Sequence, residues 1–150
     1  MINKLGPWAV TALRVIVGFG FAAHGYAKLA NGPGHFVDNL QALGVPAPVV
    51  MSWLTIIAEL AGGLAVMIGA FVPLISLPLA AILLVAAFSV HLQFGFSSIR
   101  LKEVTSAGIQ FGQPGVELDL LYLASLAVIV LCGPGRLSLD GYRSSGEEID

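Results

Sequence analysis

Four stretches of this sequence are too apolar and too long to be left in water. They fall at residues 8–30, 49–72, 74–94 and 116–133, and an α-helix needs about 20 mostly apolar residues to cross a hydrocarbon core. Composition agrees with a membrane setting: 57% of residues are hydrophobic and 11% charged, where a soluble domain has roughly half and a quarter. The mean hydropathy is +0.89. The surplus apolar surface has to face something other than water, and the lipid bilayer is the expected surrounding. The expected fold is all-α, a transmembrane four-helix bundle in one domain over residues 1–150.

Punctuation between the runs sets their connections. Pro73 suits the first turn of a third helix, where a missing N–H is harmless, and Gly69 can release the second, so these two should form a tight hairpin. The fourth run opens after Gln113-Pro114-Gly115 and stops at Gly133-Pro134-Gly135. It is short, which puts Glu117 and Asp119 at its membrane entrance. Two long loops then share one face, side B. Residues 31–48, with Gly32-Pro33-Gly34 and Val45-Pro46-Ala47-Pro48, have room for an interfacial helix, and residues 95–115 carry Arg100 and Lys102. The tight turn and both termini share side A, where residues 136–140 should lie in the interface and 143–150 form a solvated tail. Arg14 interrupts what would be the apolar region of a cleaved signal peptide, so the first run is expected to stay as a span. Cations tie between the sides: Lys4, Arg136 and Arg143 against Lys28, Arg100 and Lys102. The weight of the first helix, with Lys4 and Arg14 toward its start, favours both termini inside.

Several function classes drop out. The net charge is −2 and the 7 Lys and Arg residues form no patch, so a nucleic-acid partner is not expected. Cys132 is the single cysteine, which leaves no thiol–disulfide couple of the chain's own; any redox role must use a bound cofactor or a partner protein. Without an HxxxH or ExxH pattern, neither a metal site nor a metal cluster is expected.

Ionisable groups at bilayer depth cost at least ~2.5–3.5 kcal/mol each, so each calls for a partner or a function. With a 3.6-residue period, Arg14, Gly18, Phe21, Gly25 and Lys28 share a face of the first helix, with His24 at its edge. Ser52, Thr55, Glu59, Gly63 and Val66 share a face of the second. If both helices are centred in the bilayer, near Phe19 and Glu59, Arg14 lies roughly 7–8 Å from the midplane, within reach of Glu59. A buried Arg14–Glu59 ion pair follows, either a clamp or a proton relay. His24, His91 and Glu117 lie toward side B, where they are candidates for proton exchange. Lys28 and Gln93 join His24 and His91 as candidates for holding a cofactor. The bland alternative has Lys28 and His24 snorkelling to the interface and Glu117 near a helix N-terminus. Phe88, Phe94 and Phe96 suit either a flat ring or acyl chains.

The run His24-Gly25-Tyr26-Ala27-Lys28-Leu29 closing an Arg-containing first helix, then Glu59-Leu60-Ala61-Gly62-Gly63, His91, Glu117 and finally Gly133-Pro134-Gly135-Arg136-Leu137-Ser138-Leu139-Asp140, resembles the DoxX family over nearly the whole chain. The resemblance implies a multi-pass protein of a prokaryotic cytoplasmic membrane. It also implies redox company: small subunits of a thiosulfate:quinone oxidoreductase, and anchors that join a superoxide dismutase and a sulfurtransferase in a complex linked to thiol oxidative stress. The leading expectation is therefore a quinone-linked oxidoreductase component working with a redox partner protein. Haem b, held by His24 and His91 from opposite faces, ranks below quinone as a cofactor. A non-catalytic scaffold or assembly factor is the second reading and a small transporter or proton pathway the third; self-association is left open.

Overall fold

The computed structural model describes residues 2–147, with side chains over residues 5–143. Each apolar run is a helix whose ends are set by proline and glycine. Helix α1 spans Ile2–Ala30. Gly32, at φ 91, turns the chain into α2, Pro33–Ala42, which starts on proline and occupies the side B loop where the sequence left room for a short helix. Helix α3 is Pro48–Ile68. It ends four residues earlier than expected, because Gly69 takes φ 71 and the chain closes with Gly69 N–H to Val66 O (3.1 Å) and Ala70 N–H to Ala65 O (2.9 Å). Helix α4, Val72–Ala86, begins three residues later with Pro73 in its first turn. It continues through a π-helical turn, Ala87–His91, and a 3₁₀ turn, Leu92–Phe94. Helix α5 is Glu117–Leu131 and α6 is Leu139–Glu147.

Helices α1, α3, α4 and α5 close into a ring, each packed on the next, with α5 returning to α1. The all-α bundle with a tight turn between its second and third members is therefore present. Three helices, over Leu5–Ala30, Pro48–Ile68 and Val72–Phe94, are long and apolar enough to cross a membrane. At 15 residues, or about 22 Å, α5 is shorter than the expected 116–133 and shorter than the roughly 30 Å hydrocarbon core. Its start is fixed by Val116 N–H to Gly95 O (3.0 Å) and Glu117 N–H to Phe96 O (2.9 Å), and Gly133 at φ 83 follows its last turn.

Inside the ring Val17, Phe21, Val66, Val72, Leu79, Leu126 and Ile129 form the core. Outside, large apolar side chains face out along every span, among them Ile16, Phe19, Leu54, Leu77 and Phe88. An apolar exterior around a partly polar interior is what a lipid solvent selects. The tightest approach is between α1 and α3. A Cβ on Gly18 would lie 2.6 Å from Gly63 O, and one on Gly25 would lie 2.8 Å from Leu60 N. Small residues let two backbones meet where lipid supplies no hydrophobic drive between helices.

One segment differs from expectation. Residues 95–115, read as loop, contain an antiparallel hairpin of β1 (Leu101–Thr105) and β2 (Gly108–Phe111). Of the expected tail at 143–150, residues 143–147 are helical as the end of α6, and 148–150 lie outside the described residues.

Candidate functional site

Charge enters this bundle at three places. On side A, the segment after α5 folds back beneath the helices, with Gly133, Gly135 and Leu137 all at positive φ. This brings carbonyls to Arg14, whose side chain is 1% exposed. Its Nη2 donates to Leu137 O (3.0 Å) and Arg136 O (3.4 Å). Arg14 Nε and Nη1 have no hydrogen-bond partner among the described residues. The Thr11 hydroxyl lies 2.8 Å from Arg136 O and 2.9 Å from Pro7 O. The Asp140 carboxylate accepts from Phe71 N–H (2.8 Å) and Val72 N–H (2.9 Å), so it caps α4 from 68 residues away. Asp140 N–H in turn donates to Gly69 O (2.9 Å). The Gly-Pro-Gly-Arg-Leu-Ser-Leu-Asp run is thus a clasp. It holds the buried guanidinium on one side and supplies a missing N-cap on the other.

The expected Arg14–Glu59 pair is absent, and Glu59 is paired with Lys28 instead. Lys28 Nζ donates to Glu59 Oε1 (2.6 Å) and also contacts Oε2. The register of α1 on α3 is the cause. A Cβ on Gly25 would lie 3.0 Å from Glu59 Cβ, so Glu59 sits level with Gly25, and Lys28 is one turn away. Arg14 is eleven residues further down α1, or about 16 Å. The Phe36 ring of α2 lies 5.1 Å from Lys28 Nζ and closes the pair from side B. The Glu59 side chain is 5% exposed and that of Lys28 24%.

The third place is the side B end of α4. His91, last residue of the π turn, sets Nδ1 2.6 Å from Asp119 Oδ2 on α5. The Asp119 side chain is 7% exposed and that of His91 26%. A π turn adds about one residue to a helical turn and is frequent at functional sites; here it ends on the histidine that meets α5.

The other sequence candidates do not converge on His91. His24 is exposed and faces away from the interior. Lys28 is committed to Glu59. The exposed Gln93 side chain donates to Val90 O (3.0 Å). Glu117 Oε2 accepts from Ser98 N–H (2.9 Å), fastening the hairpin's base to α5. Asp119, expected only at the membrane entrance, is the partner that sequence reasoning misses. The period could have found it: Asp119, Leu126 and Ile129 are buried, and Tyr122, partly buried, falls on the same stripe of α5, which Glu117 does not share. No group of three His, Cys, Asp or Glu among the described residues could hold a metal ion.

A bundle with an apolar exterior, three helices able to span a bilayer and ion pairs held between its helices defines a helical integral membrane protein. The DoxX family model matches residues 9–92, more than half of the chain, and the protein belongs to that family. The matched region holds Arg14, Lys28, Glu59 and His91, while Asp119 and the clasp lie beyond it. The chain is also similar to the "Uncharacterized membrane protein Rv3486" of Mycobacterium tuberculosis, 26% identical over 148 residues, covering 93% of this chain and 84% of the relative. No solved structure matches it.

Proposed function

We propose that this protein is the small membrane component of a quinone-linked oxidoreductase system in a prokaryotic cytoplasmic membrane. The His91–Asp119 pair is its proton-exchanging group, and that pair is the observation that carries the reading. Asp119 accepts from Nδ1, which fixes the imidazole tautomer and leaves Nε2 to take or give a proton. Phe88, in the same π turn as His91, is exposed and offers a flat apolar surface on that segment. Reducing a quinone to a quinol takes two electrons and two protons. With Cys132 as its single cysteine, the chain has no dithiol to give the electrons, so they come from a partner protein that oxidises a thiosulfate- or thiol-type donor. The chain's own part is to hold the ring and move protons.

Replacing a proton-transfer residue typically lowers the rate by 10²–10⁴. His91→Gln is thus expected to lower donor-dependent quinone reduction in membranes about a hundredfold or more, and Asp119→Asn to lower it less, since the imidazole remains. Full activity in His91→Gln membranes, together with no quinone extractable from the purified protein, would sink the reading.

One observation favours a second reading. Arg14, Lys28, Glu59, Glu117 and Asp140 are all absorbed in contacts that build the bundle, as a non-catalytic scaffold for soluble redox enzymes would have them. On that reading His91→Gln leaves electron transfer intact.

The termini are assigned to the inside. Lys28 is tied to Glu59 within the bundle, which leaves Arg100 and Lys102 on side B against Lys4, Arg136 and Arg143 on side A. A periplasmic-type phosphatase fused to the C-terminus, active only outside, should stay inactive; an active fusion reverses the assignment.

A further inference from the structure

The hairpin between α4 and α5 has no place in the proton-exchanging site, yet it carries a row of exposed apolar side chains. Leu101, Val104, Ile109 and Phe111 on its strands, with Phe96 and Ile99 leading into it, are all more than half exposed. No helix covers them. At the hairpin's base an open cavity of about 540 Å³ is lined by Phe94, Arg100, Leu101, Lys102, Phe111, Gly112 and Gln113. Its lining holds two cations and an amide and no acidic residue.

The two cations are held differently. Arg100 Nη1 donates to Phe94 O (2.7 Å), the last residue of the α4 span, which pins the guanidinium at the helix end and leaves its other nitrogens free for an anion. The Lys102 side chain makes no hydrogen bond or ion pair with any described residue. The cavity's height relative to the membrane is fixed by the backbone. Gly115 N–H to Ser97 O (3.0 Å), Val116 N–H to Gly95 O and Glu117 N–H to Phe96 O tie the hairpin's base to the residues where α4 ends and α5 begins. Gly112 N–H to Arg100 O (2.8 Å) closes the base itself. The cavity therefore lies at the side B edge of the bundle, just past the end of a span, where phospholipid phosphates are found.

We propose that this cavity binds the headgroup of an anionic phospholipid, with Arg100 and Lys102 on the phosphate and the exposed apolar side chains of the hairpin inserted in the adjoining acyl boundary. The charges and the apolar surface call for the same occupant. A soluble anion would satisfy Arg100 and Lys102 but leave Phe96, Ile99, Leu101, Val104, Ile109 and Phe111 in water. A neutral lipid would cover those side chains and leave two cations without a counter-charge. An anionic amphiphile satisfies both, as interfacial segments with mixed basic and apolar surface do. The hairpin then lies along the membrane surface as a flap rather than standing in solvent.

The test uses full-length protein exchanged into mixed micelles with equal amounts of phosphatidylglycerol and phosphatidylcholine, and counts retained lipids by native mass spectrometry. Each cation near an anionic surface is worth about a fivefold change in binding. Arg100→Gln with Lys102→Gln should therefore lower retained phosphatidylglycerol by about 25-fold. Lys102→Gln alone, at an exposed side chain with no hydrogen bond or ion pair to any described residue, should lower it about fivefold without affecting folding. Arg136→Gln with Arg143→Gln, on the opposite side, should leave the preference unchanged. The proposal is overturned if the wild type shows no preference for the anionic lipid, or if the preference survives loss of Arg100 and Lys102 and disappears with Arg136 and Arg143. It is equally overturned if millimolar inorganic phosphate displaces the retained lipid completely, since the cavity would then be a site for the free anion.

Discussion

Gly63→Ala should destabilise the protein markedly, a large effect for a single methyl group. A Cβ at Gly63 would lie 2.5 Å from Ala22 N, 2.6 Å from Gly18 O and 3.1 Å from Ala22 Cα. All three are backbone atoms of α1, so no rotamer change can relieve the clash and the two helices must part. On propensity alone, glycine to alanine in a helix gains about 1 kcal/mol, so the sign of the result decides whether packing or propensity rules here. Overpacking usually costs about 1–3 kcal/mol. Against a rigid helix backbone the upper end of that range or more is expected, from a total stability of about 5–15 kcal/mol. Parting α1 from α3 would also draw Lys28 from Glu59, adding a second loss. Gly34→Ala is the control: Gly34 lies in α2, where an added Cβ would meet nothing within 4 Å and φ is not positive, so it should be neutral or slightly stabilising. Thermal unfolding of the purified variants in detergent reads both. A Gly63→Ala protein that melts as high as its parent would mean that α1 and α3 do not meet here.

Which face of α1 and of α3 turns inward is legible in the sequence. The period places Arg14, Gly18, Phe21, Gly25 and Lys28 together, and Arg14, Phe21 and Gly25 are buried in the bundle. The turn between α3 and α4 is equally legible, because Gly69 and Pro73 restrict backbone conformation locally. The sliding of one helix along another is not. Centring both spans sets Phe19 opposite Glu59, whereas the structure sets Gly25 there, a shift of six residues or about 9 Å. That shift is enough to change the partner of Glu59 from Arg14 to Lys28. Register depends on how Gly18, Ala22 and Gly25 fit against Gly63 and Leu60, which is a property of two surfaces together. The clasp is visible only as a stop signal, since its contact with Arg14 depends on a chain reversal through Gly133, Gly135 and Leu137, the last a non-glycine at φ 54. The hairpin escapes because β1 is five residues long with a register irregularity between Leu101 and Glu103, too short and too broken for alternation to show.

The Lys28–Glu59 pair should show its importance through an asymmetry between its two halves. Removing one member of a buried pair costs about 3–5 kcal/mol, because the other is left charged and unpaired. Lys28→Met strands Glu59, whose side chain is 5% exposed and lies beside Gly25 where α1 packs closely on α3. A short carboxylate there has no route to water, so the full cost is expected. Glu59→Leu strands Lys28, which is 24% exposed and close to the side B end of α1. Its long side chain can swing past Phe36 to the interface and recover its hydration, so about 1–2 kcal/mol is expected. The double variant has no stranded charge, and apolar replacements of similar volume in a buried pair are often neutral or stabilising. It should therefore be more stable than Lys28→Met. Residues more than about 10 Å apart with no shared partner add to within ~0.5 kcal/mol, so Arg14→Met and Glu59→Leu should show no coupling. Unfolding free energies for the two cycles, 28 with 59 and 14 with 59, separate the possibilities. Strong coupling in the first and none in the second confirms the register, whereas coupling between 14 and 59 would place Arg14 against Glu59 after all and move α1 by three helical turns.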